Sequence, residues 1–185
     1  MIENLDGSNS LMCVFADKEE TGSDGPTGMQ GRLMIDIIDE VSRSLGCDPV
    51  IVRAKSKCLS ADVAAAFDPS YPDVYEKENS ALLSCGVAVA KYTGSGGKYS
   101  TNDCPAEFME EIRTLLDEGG VLWQTTELGK VDAGGGGTVA KYISRYNIDT
   151  LDIGVPVLSM HAPFEVVSKY DVYSAHRAFS EFCKG

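Results

Sequence analysis

Apolar and polar positions alternate along the chain in short blocks that predict strands and helices in turn. Uninterrupted apolar runs bounded by polar residues are typical of buried strands. Such runs lie at 11–15 (LMCVF), 50–52 (VIV), 85–92 (CGVAVAKY), 121–126 (VLWQTT) and 150–158 (TLDIGVPVL), with 58–63 (CLSADV) as a further candidate. Short strands that alternate with helices predict an α/β domain with a largely parallel or mixed sheet.

Four segments between these runs predict helices. A helix within 29–45 ends at Gly46, because glycine readily adopts the left-handed conformation that closes a helix. Its apolar stripe consists of Leu33, Ile37, Ile38, Val41 and Leu45. A second helix, ending at Gly119–Gly120, is marked by Phe108, Ile112, Leu115 and Leu116. A shorter helix covers about 138–146, and the closing helix carries Val172, Ala175, Phe179 and Cys183 on one face. The glycine-rich stretches 93–103 and 127–137 predict loops.

The composition narrows the class of protein. With 185 residues, the chain is long enough for one domain with its own core. A net charge of −12 and a pI near 4.5 argue against a nucleic-acid partner, because an acidic surface repels phosphates. No apolar stretch approaches the roughly 20 residues of a membrane span. We therefore expect neither a nucleic-acid nor a membrane partner.

The cysteines and the N-terminus indicate the compartment. The six cysteines contain no C-x-x-C pair, and several stand inside apolar runs, such as Cys13 in LMCVF. This pattern favours reduced, buried thiols over a disulfide framework. The first ten residues, MIENLDGSNS, are polar and acidic, unlike a signal peptide. The sequence therefore predicts a cytoplasmic protein.

Acidic residues and a histidine stand where the predicted strands end. Glu19 and Glu20 follow the first strand, Asp62 lies in the LSADV phrase, and His161 follows VPVLSM. Ligands of open α/β sheets bind beyond the carboxyl ends of the strands. Carboxylates and an imidazole suit Zn²⁺ or a related divalent ion. One glutamate is expected to bind metal while its neighbour takes a proton from water, the division that metal-assisted hydrolysis requires.

Each of these residues also has a structural interpretation. The two glutamates fit a solvated loop, His161 fits a hydrogen-bonded structural residue, and Asp62 fits the cap of a short helix in VAAAF. The glycine runs 93–100 and 134–138 suggest phosphate-binding loops, and hence a nucleotide-binding domain as a separate hypothesis. Tyr99 interrupts the Walker pattern, however, and GGGG does not match the G-x-G-x-x-G fingerprint.

Four long phrases in a fixed order carry a family resemblance. They are FADKEETGSDGPTGM, LSADVAAAFDPSYPDVYEKEN, WQTTELGKVDAGGGGT and DIGVPVLSMHAPFEVVSKYD. Together they resemble the C-terminal half of the catalytic domain of aspartyl aminopeptidase and vacuolar aminopeptidase I-type zinc metallopeptidases, in the bacterial branch. The resemblance implies a three-layer zinc-peptidase-like (phosphorylase/hydrolase-like) α/β domain with a mixed sheet and helices on both faces. It also implies removal of the N-terminal residue of peptides, acidic residues among them, by a water molecule held on two metal ions.

The resemblance further implies a role for each candidate residue. Glu19 is the expected general base, and Glu20, Asp62 and His161 are the expected ligands of two zinc ions, which cobalt or manganese can replace. Residues expected to contact the peptide substrate are Lys91, Gly137 and Thr138. Lys91 matches a lysine that approaches the acidic side chain of the substrate, although a solvated strand end remains an alternative for it. Family members assemble as dodecamers, so a homo-oligomer is expected.

The chain also departs from the family pattern. Members carry a histidine followed by an aspartate, and an aspartate that bridges both metals, upstream of the Glu-Glu phrase. Neither histidine of this chain, His161 or His176, lies upstream of Glu19, and Asp6 does not stand in a matching segment. The inserted dimerisation domain is missing as well. We therefore expect a partial catalytic domain, 1–185, with an incomplete metal site. The alternative is a non-catalytic module that acts in assembly with a missing N-terminal half.

Overall fold

A five-stranded mixed sheet forms the centre of the molecule in the computed structural model, which describes residues 9–96 and 99–184. Its strand order is β1–β7–β2–β5, and β8 pairs with the end of β7. The strands are β1 (Lys57–Ala65), β2 (Val87–Ala90), β3 (Tyr92–Ser95), β4 (Tyr99–Asp103), β5 (Trp123–Thr125), β6 (Gly135–Gly136), β7 (Asp149–Leu158) and β8 (Val166–Val167). The helices are α1 (Leu33–Ser44), α2 (Pro49–Lys55), α3 (Ala106–Glu118), α4 (Ala140–Ser144) and α5 (Lys169–Phe182).

The parallel pair β1–β7 is the longest ladder of this sheet. It runs without interruption from Lys57 opposite Asp149 to Ala65 opposite Val157. On its other side, β7 pairs antiparallel with β2, which in turn pairs parallel with β5. Because β1 and β7 point the same way, their carboxyl ends meet at one edge of the sheet. The polar residues near those two ends are therefore brought together.

The two faces of the sheet differ in chemistry. One face packs on α3 and α5 and forms the main core, with buried residues Val87, Val89, Cys104, Phe108, Ile112, Leu116, Val121, Leu151, Ile153, Ala175 and Ala178. Alternate residues of the same strands point to the opposite face. There Ser60 and Asp62 of β1 lie on the same side as Asp152 of β7, because Ser60 is opposite Asp152 and Asp62 is opposite Gly154. The second face is thus small and polar.

A smaller antiparallel sheet, in the order β4–β3–β6, belongs to the polar side of the molecule. Its strand β6 consists of Gly135 and Gly136, which pair with Ser95 and Gly94 of β3. A Cβ atom on Gly135 would lie 1.9 Å from the carbonyl oxygen of Gly94, so the two strands approach this closely only because residue 135 is glycine. A second apolar cluster on this side joins Met29 and Ile35 to Ile143 and Ile148.

The α/β class, the mixed sheet and the helices on both of its faces confirm the fold predicted from the sequence. Strands β2 and β5 fall within the predicted runs, β1 and β7 extend beyond theirs, and α3, α4 and α5 fall at the predicted helices. Gly46, with φ of 73°, closes α1 as predicted. The TGSGGKYSTND stretch is a β3–β4 hairpin in its described part, not a loop, and residues 97–98 lie outside the described residues.

Two strand predictions are wrong. The VIV run at 50–52 lies inside α2, whose first residue is Pro49 and whose N-cap Asp48 accepts a hydrogen bond of 2.9 Å from the Val50 amide. An aspartate cap followed by proline is a helix start, and it overrides the β preference of three apolar residues. The LMCVF run forms no strand, and its residues are exposed, Cys13 among them, so the expected burial of that thiol is also wrong.

Four of the five residues of the predicted apolar stripe in 29–45 face away from the core, and the fifth, Ile38, packs against the second apolar cluster. Leu33, Ile37, Val41 and Leu45 are all exposed, whereas the buried positions of α1 are Ile35, Asp39 and Ser42. The polar groups on the buried side have partners: Asp39 pairs with Arg53 of α2, and the Ser42 hydroxyl donates to the Ile38 carbonyl at 2.6 Å. Satisfied polar groups can be buried at small cost, so the more apolar stripe is left uncovered.

All six cysteines are free thiols, and Cys104 is fully buried. Burial raises the pKa of the Cys104 thiol to about 12. Among residues 9–96 and 99–184, no helix combines the length and apolar character needed to cross a membrane. Asp6, which the sequence comparison with the family singled out, lies outside the described residues.

The orientation of α1 is tested by two identical substitutions on its opposite sides. Ile35 is 1% exposed and Ile37 is 44% exposed. We expect Ile35→Ala to lower the free energy of unfolding by about 2–5 kcal/mol, because it leaves a cavity. Ile37→Ala should change it by less than about 0.5 kcal/mol. Urea denaturation followed by circular dichroism measures both, and equal losses would contradict this orientation.

Candidate metal centre

Glu19 and Glu20 stand on a tight turn at the start of the described chain. They open a single 3₁₀ turn, Glu19–Thr21, between two residues in the left-handed conformation, Lys18 and Gly22. The amide of Ser23 donates to the Lys18 carbonyl at 2.7 Å, and Asp17 accepts hydrogen bonds from the Lys18 amide and the Thr27 hydroxyl. Asp17 therefore fixes the loop, while both glutamates project from it with no hydrogen bond of their own among the described residues.

His161 follows the last residue of β7 by three positions. Its backbone has φ of 68°, which is unusual for a residue other than glycine. The His161 amide donates to the Glu165 carboxylate at 2.5 Å, and the Ala162 amide donates to the Ser159 carbonyl at 2.9 Å. These contacts hold the turn after β7 and leave the imidazole free to point toward the glutamate turn.

Glu20 and His161 meet across 141 positions of sequence. Glu20 Oε2 lies 3.7 Å from His161 Nε2, and both side chains are largely exposed. This distance is too long for a direct hydrogen bond, but it is short enough for both groups to bind one ion between them after small rotations. The structure thus brings together two of the residues that the family resemblance implies as metal ligands.

Glu19 sits between the charged groups of the centre. Partial burial raises the pKa of Glu19, and the negative charges of Asp62 and Glu20 raise it further. The charges of His161 and Lys141 act in the opposite direction. Asp62 is exposed on β1, and its Oδ1 accepts a hydrogen bond of 2.7 Å from the Val63 amide. Glu19, Glu20, Asp62 and His161 are therefore electrostatic neighbours in one cluster.

The donor types of this cluster fit a divalent metal, but their number does not complete a site. A catalytic zinc ion normally has three protein ligands. Among residues 9–96 and 99–184, no three His, Cys, Asp or Glu side chains are placed to hold one ion. Glu20 and His161 form a pair, and Asp62 stands beside them through its effect on Glu19. The described residues thus bring together donors of the type that binds zinc without completing a site.

Lys91 lies away from the carboxylate cluster. It pairs with Asp103, and its ammonium is 5.8 Å from the ring centre of Tyr92. It lines an open pocket of about 180 Å³ together with Val89 and Met109, which are on the α3 side of the sheet. No residue of the cluster lines that pocket. The contact of Lys91 with substrate stays a prediction, and the structure offers no proximity to Glu19 in its support.

Gly137 and Thr138 lie at the end of the glycine loop, beside a lysine that the sequence analysis missed. A Cβ atom on Gly137 would lie 3.0 Å from Lys141 Nζ. Lys141 is half-buried, makes no ion pair within 4.0 Å among the described residues, and acts electrostatically on Glu19. The Thr138 hydroxyl contacts that of Thr93 at 3.3 Å. Lys141 is the second residue of α4. The signal in the sequence is a basic residue in the first turn of the helix that follows the glycine loop.

Asp152 is a second residue that the sequence analysis missed. It is 5% exposed in the middle of β7, opposite Ser60, and burial raises the pKa of its carboxyl. The Thr93 hydroxyl, which donates to Asp152 Oδ2, opposes that rise, whereas the negative charge of Asp62 adds to it. The signal in the sequence is an isolated acid inside the apolar run TLDIGVPVL.

Comparison with known proteins gives a consistent result. A family model described as aminopeptidase I zinc metalloprotease (M18) matches residues 2–183. A probable M18 family aminopeptidase 1 of Clostridium acetobutylicum is 44% identical over an alignment of 186 positions. The alignment covers 98% of this chain and 40% of that protein. The chain spans about 40% of the length of the curated relatives it matches.

Two solved structures share the fold. The crystal structure of an M18-family aminopeptidase from Thermotoga maritima matches with a TM-score of 0.88 and 42% identity, over 92% of this chain and 39% of that one. The crystal structure of aminopeptidase I from Clostridium acetobutylicum matches with a TM-score of 0.84 and 46% identity, over 91% of this chain and 37% of that one.

The electrostatic coupling in the cluster is tested by removing one charge. We expect Asp62→Asn to lower the pKa of Glu19, because a neighbouring negative charge that disfavours ionisation is lost. Titration of the glutamate side-chain carboxyl carbons by NMR measures this pKa. Asp24→Asn, in the same loop as Glu19, is the matched control because Asp24 is not among the groups that shift the pKa of Glu19. An unchanged Glu19 pKa in Asp62→Asn would contradict the proximity.

Proposed function

The chain belongs to the aminopeptidase I zinc metalloprotease family (M18), and from that premise we propose that it forms one wall of a dinuclear metal centre that removes the N-terminal residue of peptides. The observation that carries this proposal is the 3.7 Å approach of Glu20 to His161 beside the raised-pKa carboxyl of Glu19. This approach supports Glu20 and His161 as ligands of one ion, and Glu19, the residue before Glu20 in the same 3₁₀ turn, as the proton acceptor.

Glu20 and His161 are proposed to hold one metal ion, and Asp62 to hold the other. Carboxylate and imidazole donors suit zinc, and cobalt and manganese accept the same donors. When bound, the metal ions would supply the Lewis acidity that activates water and polarises the scissile carbonyl. Asp62 belongs to a strand and His161 to a hydrogen-bonded turn, so both positions are set before an ion arrives.

Glu19 is proposed to take the proton from the attacking water and to pass it to the leaving amine. A carboxyl with a raised pKa is a stronger base once ionised, and general bases work best when their pKa approaches the working pH. The charges of His161 and Lys141 favour the ionised form of Glu19, which is the form that accepts a proton. Glu19 has no hydrogen bond that would compete for its oxygens among the described residues.

The remaining ligands of both ions are proposed to come from protein outside the described residues. In the described sheet, β1 is an edge strand of nine residues with no partner on its outer side, and Asp62 lies on it. The uncovered stripe Leu33, Ile37, Val41 and Leu45 of α1 is a second apolar surface of the kind that proteins bury against a partner. Both surfaces favour assembly with more chain or with further copies, and the dodecamer implied by the family resemblance remains part of this proposal.

The substrate is proposed to be a peptide whose N-terminal residue enters between the glutamate turn and the glycine loop. Gly137 and Thr138 are at the end of that loop, and the Lys141 ammonium, which lies against Gly137, acts electrostatically on Glu19. A preference for an acidic N-terminal residue requires a cation in the pocket. Lys141 meets that requirement by its position, whereas Lys91 is paired with Asp103.

A non-catalytic role is the second candidate, and one observation favours it. Among the residues that the structure describes, no three potential ligands converge on one point. Two protein ligands bind zinc more weakly than three and do not hold two ions about 3.5–4 Å apart. On this alternative the chain keeps the peptidase fold and acts in assembly without hydrolysing peptides itself.

Metal binding separates these two candidates. We expect Zn²⁺, Co²⁺ or Mn²⁺ to bind the chain, and His161→Ala or Glu20→Gln to weaken that binding at least about 10-fold, because each removes a donor of the pair. Isothermal titration calorimetry at constant pH measures the affinity and the number of ions. His176→Ala is the matched control, because His176 is exposed on α5 and stacks on Tyr173. Equal affinities of the two histidine variants would contradict the assigned pair, and two tightly bound zinc ions per chain would eliminate the non-catalytic candidate.

Catalysis is tested by replacing the proposed base. With metal supplied, we expect Glu19→Gln to lower the hydrolysis of aminoacyl p-nitroanilides about 10²–10⁴-fold, because the amide cannot accept the proton. Glu78→Gln, in the 3₁₀ turn Lys77–Asn79, is the control and should keep full activity. Hydrolysis that survives Glu19→Gln would rule out this base. No hydrolysis by the unsubstituted chain at saturating metal would favour the non-catalytic candidate.

A further inference from the structure

Asp152 is a buried carboxylate that the proposed metal centre does not use. It is 5% exposed, its Oδ1 has no hydrogen-bond partner among the described residues, and the hydroxyl of Ser60, on the neighbouring strand, is equally without one. An ionised carboxylate taken out of water is costly unless donors surround it. Such a residue calls for an explanation beyond packing, because valine or threonine would fill the same strand position at lower cost.

The donors that Asp152 does have come from two different elements. The Thr93 hydroxyl of β3 donates to Asp152 Oδ2 at 3.3 Å. The Thr93 and Thr138 hydroxyl oxygens are 3.3 Å apart, and the Thr138 oxygen accepts the Ala140 amide at 3.3 Å. Since Thr93 gives its proton to the carboxylate, Thr138 is left to give its own to Thr93. The hydrogen bonds therefore run in one direction, from the first amide of α4 to Asp152.

These hydrogen bonds attach the end of the glycine loop, at Thr138, to the central sheet. At its beginning the loop is held by the pairing of Gly135 and Gly136 with β3. At its end Thr138 is tied through Thr93 to the sheet, and Lys141 follows three residues later with its ammonium against Gly137. Four consecutive glycines have little stiffness of their own, so these two attachments determine where the loop lies.

We infer that Asp152 is a positioning residue, which holds the glycine loop and the first turn of α4 through Thr93 and Thr138, and thereby keeps Lys141 beside Glu19. The Asp152 carboxylate is the last acceptor in this series of hydrogen bonds, because an ionised carboxylate only accepts hydrogen bonds. Its position is fixed because it belongs to β7. This inference deepens the proposed function and depends on it for one point, the assignment of the loop to the wall of the substrate pocket.

Thr138 gives the sharpest test, because two near-isosteric replacements differ in the hydroxyl. Thr138→Val removes the hydroxyl and keeps the shape, whereas Thr138→Ser keeps the hydroxyl. We expect backbone amides of residues 134–140 to exchange with deuterium about 2–10-fold faster in Thr138→Val, the effect of losing about one hydrogen bond. Thr138→Ser should exchange at the unsubstituted rate. Hydrogen exchange followed by mass spectrometry measures this on the full chain without metal or substrate.

Asp152→Asn and Asp149→Asn form a second matched pair on one strand. Asp149 is at the start of β7 and has no hydrogen bond to the loop, so its replacement should leave the loop unchanged. Asp152→Asn should accelerate exchange at 134–140 and leave the exchange of α3 and α5 unchanged. If Asp152→Asn fails to fold, the Thr138 pair decides alone.

The position of Lys141 gives a readout that a purely structural role would not move. We expect acetylation of Lys141 by limiting acetic anhydride to become faster in Thr138→Val and Asp152→Asn, with Lys130 in the same loop as internal reference. Loop exchange and Lys141 acetylation within twofold of the controls in both variants would overturn the inference. Neither measurement requires metal or hydrolysis, so this result would leave the proposed function to be judged by calorimetry and kinetics.

Discussion

The parallel ladder between β1 and β7 is the constraint from which the rest of the site follows. It fixes nine residue pairs in one register, and a slip of β1 by one residue would turn Asp62 to the apolar face that packs on α3 and α5. The two strands approach each other closely at Gly154, where a Cβ atom would lie 2.7 Å from the Asp62 carbonyl oxygen. The close approach at glycine brings the strand that carries Asp62 against the strand that leads to His161. The apolar pattern of one face thereby determines the geometry of the polar groups on the other.

The polar face carries a concentration of negative charge that no packing argument explains. The negative charges of Asp62 and Glu20 disfavour the ionised form of Glu19, and that of Asp62 disfavours the ionised form of Asp152. The described chain opposes this repulsion with His161 and Lys141 alone among the groups that act on Glu19. Proteins retain such clusters where a cation or a chemical step compensates the repulsion. This is the physical reason to assign a metal to this face, independently of the family to which the chain belongs.

The sequence predicted the fold well where a single physical signal decided the element. Strand β7 and helix α3 follow from long runs and clear end signals, such as Gly119–Gly120. The strand prediction for the VIV run was wrong because the helix start formed by Asp48 and Pro49 is a stronger signal than three apolar residues. The predicted orientation of α1 was wrong because the burial of Asp39 depends on its ion pair with Arg53 of α2. The apolar periodicity of one helix does not reveal a contact with another helix. In the site, the meeting of Glu20 with His161 was predicted from motifs, whereas Lys141 and Asp152 act through the tertiary arrangement of the loop and required the structure.

Lys91 and Asp62 are on opposite faces of the sheet, because successive residues of a strand point to opposite faces. Lys91 follows Val89 by two positions, so it continues the face that packs on α3, and it lines a pocket with Met109. Asp62 belongs to the opposite face, because its partner Gly154 is opposite Ala88 and not Val89. A lysine side chain cannot cross a close-packed sheet to reach a carboxylate on the other side. Lys141 begins on the correct side, in the helix that the glycine loop leads into. Lys141 acts electrostatically on Glu19, so in the proposed function the attachment of the loop to Asp152 bears on how an anionic group of a substrate is bound.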